Sequence, residues 1–160
     1  MGHIRRQYGA GPFVLDLAAC ADDAVAPHHI GPERGSLSCD WTAEALAAAG
    51  GGWAWCNPPY SRGVGPWVAK AREEVARGLP GVVLCLQYDP STQWWARCRA
   101  EGAECIRVEG GRLAYLDPDT GRPVAGGRGA TVLVVVTNIK AKSAALDHVA
   151  IGEIYETSVT

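Results

Sequence analysis

Apolar residues in this chain fall into short runs separated by helical-period stretches, the pattern of strands alternating with helices. Residues 13–17 (Phe-Val-Leu-Asp-Leu) form one such run, set off by Gly9, Gly11 and Pro12, and predict a short buried strand. Residues 21–38 hold no period, and Pro27, Gly31, Pro32 and Gly35 mark them as mostly loop. Thr42 is a candidate N-cap for an Ala-rich helix over 43–49, stopped by Gly50-Gly51-Gly52. A second strand over 53–56 (Trp-Ala-Trp-Cys) runs straight into Asn57-Pro58-Pro59-Tyr60. Beyond Ser61, Trp67, Val68, Ala71 and Val75 fall at helical spacing, with Lys70, Arg72, Glu73, Glu74 and Arg77 read as the opposite, polar side. A strand over 82–86, a helix opening at Ser91, a strand over 103–108, a hairpin-like segment over 112–116 and a β-branched strand over 131–137 follow. Residues 138–160 show no clear pattern.

Strands alternating with helices predict an α/β fold: a mostly parallel sheet with helices on both faces. The late strands follow one another without an intervening helix, which predicts an antiparallel edge. Ligands in such sheets bind outside the carboxyl ends of the strands, so the loops after Leu17 and Cys56 are where chemistry is expected. With 160 residues the chain is read as one domain, a core over about 13–137 and a tail over 138–160.

Composition narrows the classes. The longest apolar run, 130–136, is far short of the ~20 residues that span a bilayer. Met1-Gly2-His3-Ile4-Arg5-Arg6 has no apolar segment behind it, so no secretory signal is expected and the reading is cytoplasmic. The six cysteines include no pair at CxxC spacing, which argues against a zinc or thioredoxin-type site and for buried, reduced thiols. His28-His29 would ligate a metal only if the fold supplied further ligands, and none is expected.

The residues with the most specific chemistry are Asn57-Pro58-Pro59-Tyr60. At ~5% Pro usage a Pro-Pro pair is expected about 0.4 times by chance in such a chain, and the flanking Asn and Tyr lower this by roughly three orders of magnitude. Two prolines fix φ and leave a stiff loop of outward carbonyls, and Asn57 adds a side-chain acceptor. Together these offer two acceptors to an NH2 group, raising electron density at a nitrogen whose lone pair is otherwise delocalised into a ring. Tyr60 offers a face for a base removed from its stack. Positioning and electrostatics suffice, with no metal required. The competing reading is a rigid Asn-Pro turn with Tyr60 packed on the surface.

With these residues the chain resembles the phage-type DNA N6-adenine methyltransferases, over about 13–136. Phe13-Val14-Leu15-Asp16-Leu17-Ala18-Ala19 looks like that family's cofactor strand and turn, and Gly35-Ser36-Leu37-Ser38-Cys39-Asp40-Trp41 is similar to its Gly-Leu-x-x-Asp-Trp segment. Trp55 to Ser61 matches its catalytic loop, and Trp67-Val68-x-Lys70-Ala71 its next helix. Gly111-Arg112-Leu113 and Thr131-Val132-Leu133-Val134-Val135 resemble its late hairpin and last strand. The resemblance implies a Rossmann-like fold, S-adenosylmethionine as methyl donor and DNA, in a phage's bacterial host, as partner. It also implies that Asp16, Leu17, Ala18 and Ala19 line the methionine end of the cofactor, that Asp40 accepts from its adenine amino group and that Trp41 packs on that ring. Read from the residues alone, Asp16 caps local backbone amides or meets a cationic ligand, and Asp40 is equally an ordinary helix cap. The family's Thr-Pro-Pro-like segment has no match ahead of Phe13, and residues 87–92 match its Pro-x-x-Thr region only in part.

The net charge of −2 excludes a broadly basic surface. DNA affinity, which draws on phosphate neutralisation, must come from a local basic face or a second subunit, a homodimer being one form of that. Arg62 beside the loop, Arg112 and Arg128 are the candidate DNA contacts. Six tryptophans are many for this length; Trp94 and Trp95 are read as core packing more than as stacking platforms. Two other functions fit the same loop: methylation of protein glutamine or RNA adenine, and a non-catalytic DNA-binding subunit.

Overall fold

The computed structural model describes residues 2–109, 115–116, 120, 122–124, 129–140 and 148–150. Its order is α1 (Gly2–Tyr8), β1 (Phe13–Asp16), β2 (His28–His29), α2 (Trp41–Ala49), β3 (Trp53–Cys56), α3 (Gly65–Ala76), β4 (Gly81–Gln87), α4 (Gln93–Ala100), β5 (Glu104–Glu109), β6 (Tyr115–Leu116), β7 (Pro123–Val124), β8 (Thr131–Thr137) and β9 (His148–Ala150). Seven strands make one sheet in the order β2-β1-β3-β4-β8-β5-β9, and β6 and β7 pair separately. Among the described residues no helix is long and apolar enough to cross a membrane.

The alternation of side chains along each strand gives the sheet two apolar faces. In β4, Val82, Leu84 and Leu86 face one cluster, where Trp41 and Ala45 of α2, Trp67, Val68, Ala71 and Val75 of α3 and Cys98 of α4 cover them. Val83 and Cys85 face the other, beside Trp53, Trp55, Leu133 and Val135, under Ile4 and Tyr8 of α1. Helices therefore cover both faces, as the pattern predicts. The α1 helix is not in the sequence reading, because Ile4 and Tyr8 give only one apolar pair at helical spacing in seven residues.

The antiparallel strand is not at an edge, and this corrects the expectation. β1 to β4 are parallel, and β8 runs antiparallel between β4 and β5. β9 then pairs parallel to β5 and lies at the edge. The composition of β8 explains the placement. Val132 to Val136 are all buried, and β4 pairs with the strand along its whole length. At an edge the same strand would present one row of unpaired amides and carbonyls. β2 is also new: two residues, paired with Leu15 and Asp16, are too few for a period to show.

Gly81 marks a close approach in this core. A Cβ there would stand 2.3 Å from the Trp53 ring, which is itself 4% exposed. The neighbouring atom belongs to a stiff indole, so Gly81→Ala is expected to destabilise by about 1–3 kcal/mol. Urea unfolding of the two proteins measures this.

Candidate active site

Because β1 and β3 are parallel neighbours, the turn after β1 and the loop after β3 leave the same end of the sheet. The Leu17 amide donates to the Trp55 carbonyl at 2.8 Å, which fixes residues 16–19 two residues from Asn57. Asp16 is 2% exposed. Its Oδ2 accepts from the Val25 amide at 2.9 Å and its Oδ1 from the Ala18 amide at 3.2 Å. The carboxylate thus closes the loop between β1 and β2, the local-capping alternative. Burial pushes its pKa up, and the two amides offset part of that. Leu17 and Ala19 are buried and Ala18 is half-buried.

Asn57 is half-buried, and its side-chain Oδ1 is buried with no hydrogen-bond partner. Such an orphan acceptor costs about 1–3 kcal/mol, so a native fold rarely keeps one without a use. Pro58 is buried and Pro59 exposed, with the latter extended at φ −66 and ψ 132. Tyr60 opens a short 3-10 turn, Tyr60–Arg62, and is 40% exposed. Its hydroxyl donates to the Cys85 carbonyl of β4 at 3.1 Å, so the ring is tethered at one end and accessible elsewhere. This tether was not legible in the sequence, since a backbone acceptor carries no residue signature. The thiols of Cys56 and Cys85 line the strands behind the loop; burial holds Cys56 well above the ordinary thiol value and pushes Cys85 up to about 12, so both stay neutral. Among the six cysteines, Cys56, Cys85, Cys98 and Cys105 are buried and free, as expected.

Asp40 and Trp41 are held by local contacts at the start of α2. Asp40, not Thr42, is the N-cap of α2: its Oδ1 accepts from the Ala43 amide at 2.9 Å. Its Oδ2 is paired with Arg77 at 2.5 Å, and these contacts, the Ala43 amide foremost, hold its pKa low. Trp41 is 0% exposed. Its indole Nε1 donates to the Ser36 carbonyl at 2.8 Å, its ring stacks with Trp67 at 6.1 Å, and the Lys70 ammonium lies 5.3 Å from its centroid. Trp41 thus presents no accessible ring face in this structure. Thr42 donates instead, from amide (3.0 Å) and hydroxyl (2.6 Å), to the carboxylate of Glu74.

Glu74 was read as part of a polar face, yet it is 0% exposed. The signal was present: Glu74 stands seven residues after Trp67 and three after Ala71, on the apolar side of the helix. Burial alone would raise its pKa, but the Thr42 hydroxyl, Lys70 and the Thr42 amide together hold it below the ordinary value. Of the proposed DNA contacts, Arg62 lies in the turn directly after Tyr60, and Arg112 and Arg128 fall outside the described residues.

Tyr60→Phe removes the hydroxyl's bond to the Cys85 carbonyl and should lower kcat/KM by about tenfold, the worth of one ordinary hydrogen bond. Tyr60→Ala, which also removes the ring, should cost more. Steady-state kinetics on both variants separates the two effects.

The model of the DNA N-6-adenine-methyltransferase (Dam) family matches residues 2–158. A DNA N-6-adenine-methyltransferase of Haemophilus phage HP1 (strain HP1c1) is 29% identical over 119 residues, 74% of this chain and 64% of the relative. One of Escherichia phage T1 is 28% identical over 144 residues, 81% of this chain and 57% of the relative. The chain thus spans about three fifths of the curated relatives it matches. With the match running over nearly all of its length, this chain belongs to the DNA N-6-adenine-methyltransferase (Dam) family.

Proposed function

We propose that the protein transfers a methyl group from S-adenosylmethionine to the exocyclic amino group of adenine in DNA. The observation that carries this reading is the orphan Asn57 Oδ1 on a loop at the carboxyl ends of parallel strands. The sheet order supports a Rossmann-like methyltransferase fold, with one reversed strand set between parallel ones.

An adenine amine has two hydrogens to place. Asn57 Oδ1 accepts one, satisfying the acceptor the fold leaves open, and the Pro58 carbonyl accepts the other. Held this way, the nitrogen pyramidalises and its lone pair is drawn out of conjugation with the ring, which makes it nucleophilic. Pro58 and Pro59 stiffen the loop, so this geometry is set before the base arrives. Tyr60 stacks on the base once it leaves the duplex, a step that costs a few kcal/mol and that stacking offsets. When bound, S-adenosylmethionine supplies a methyl on a sulfonium, which leaves as a neutral thioether. Asp16, Leu17, Ala18 and Ala19, on the turn beside the Asn57 loop, would hold its methionine end. The amide and carbonyl acceptors are too weakly basic to keep the displaced N6 proton, so it leaves to water on the exposed side of Pro59 and Tyr60.

Incubating the protein with labelled S-adenosylmethionine and, separately, unmethylated DNA, RNA and a bacterial protein extract tests the substrate class. Label in DNA supports the reading. Label confined to RNA or to protein glutamine replaces it, and failure to bind S-adenosylmethionine points to a non-catalytic DNA-binding subunit.

A further inference from the structure

We infer that Tyr88, Trp94 and Trp95 form a stacking platform for a nucleotide next to the target adenine, with Arg99 beside it to meet the strand's phosphate. The inference rests on the DNA reading above and names a second point of contact for that substrate.

Three observations bring this cluster to the catalytic loop. Cys56 pairs with Leu84, so the loop leaves the sheet alongside residues 85–88, and Tyr60 is bonded to the Cys85 carbonyl. Tyr88 stands three residues farther along, about 10 Å at strand rise. Its amide donates to the Ala130 carbonyl at 2.7 Å, which anchors it at the mouth of the sheet. From there the rings form a chain: Tyr88 meets Trp95 edge-on with centroids 5.0 Å apart, and Trp95 meets Trp94 edge-on at 5.9 Å.

The rings are packed against the core on one side and are still partly accessible. In each edge-on pair one ring's edge meets the other's face, so the room for a further flat ring is the part of Tyr88, Trp94 and Trp95 that stays accessible. Arg99 follows Trp95 by four residues, so the two share a side of α4, and Arg99 is exposed. This puts a cation beside an aromatic ring in a chain whose net charge of −2 requires any basic contact with DNA to be local. When an adenine leaves its stack, the adjacent base loses a neighbour. An indole packed beside Tyr88 can replace it, and stacking of this kind does not depend on which base is present.

The test uses a short duplex that the wild type methylates at one adenine. Nucleosides flanking that adenine are replaced one at a time by an abasic site. Loss of a stacked base is expected to raise the wild-type KM for DNA about tenfold at one flanking position, with a smaller change in kcat. Trp95→Ala should show the same rise on the intact duplex and none further on the abasic one. Arg99→Gln, a surface change, should lower the slope of log K against log salt by about one. A folded Trp95→Ala protein with the wild-type KM for DNA would overturn the platform. So would a wild type indifferent to every abasic position, a result that stands even if the variant does not fold. A wild type that methylates no DNA removes the parent reading along with this one, whereas normal methylation with indifferent flanks removes only the platform.

Discussion

Asn57→Ala is expected to lower methyl transfer by about 10²- to 10³-fold, as removal of one preorganised hydrogen-bonding group does in other active sites. The loss should fall on kcat, because in the proposed reaction the Asn57 carbonyl acts on the amine as its lone pair becomes nucleophilic and adds little to holding DNA. The fold should not suffer. Asn57 Oδ1 has no partner within the protein, so truncation breaks no hydrogen bond of that atom and relieves a buried unsatisfied group. A thermal midpoint at or slightly above that of the wild type, together with the lost activity, is therefore the signature. A stability loss of several kcal/mol would mean that Asn57 is a structural residue. Asn57→Asp keeps an acceptor at the same place and should retain more activity than alanine.

Glu74→Gln should do the reverse: a loss of about 1–3 kcal/mol in stability with the Asn57–Tyr60 loop unchanged. Glu74 gathers the Thr42 amide and hydroxyl, Lys70 at 2.9 Å and Arg77 at 3.5 Å, and so pins the start of α2 to α3. Glutamine keeps the shape but gives one of these donors an N–H to face, and leaves Lys70 without its charge partner. The same residue sets an acid limit. Its folded-state pKa is depressed below the ordinary 4.5, so the ionised form contributes stability above about pH 4.5, and that contribution is lost as pH falls below it. Urea unfolding between pH 3 and 7 should show this acid-linked loss in the wild type and a smaller one in the variant. Equal pH dependence in both proteins would remove Glu74 from the account.

Much of this was legible in the chain because the decisive signals were local. Runs such as Val82 to Leu86 and Thr131 to Thr137 are too apolar to be anything but buried strands, and the Asn-Pro-Pro-Tyr loop follows directly from another short apolar run, Trp53 to Cys56. What stayed hidden was set by distance along the chain. The Tyr60 tether to Cys85 spans 25 residues and uses a backbone acceptor. The place of β8 between β4 and β5 depends on partners that the order of elements does not dictate. The two-residue β2 is too brief for any period to appear. For Asp40 the local alternative was legible, since an aspartate before a helix caps it, whereas the inward turn of Trp41 onto Trp67 depends on a residue 26 positions away.

The central claim is that the acceptors of the Asn57 loop ready an adenine amine for methylation. It is tested most directly by incubating unmethylated DNA with labelled S-adenosylmethionine, digesting to nucleosides and counting label in N6-methyladenine, for wild type and Asn57→Ala side by side. The account predicts label in N6-methyladenine from the wild type and at most about a hundredth of it from the folded variant. Equal label from both proteins, or label in any other nucleoside, would contradict it.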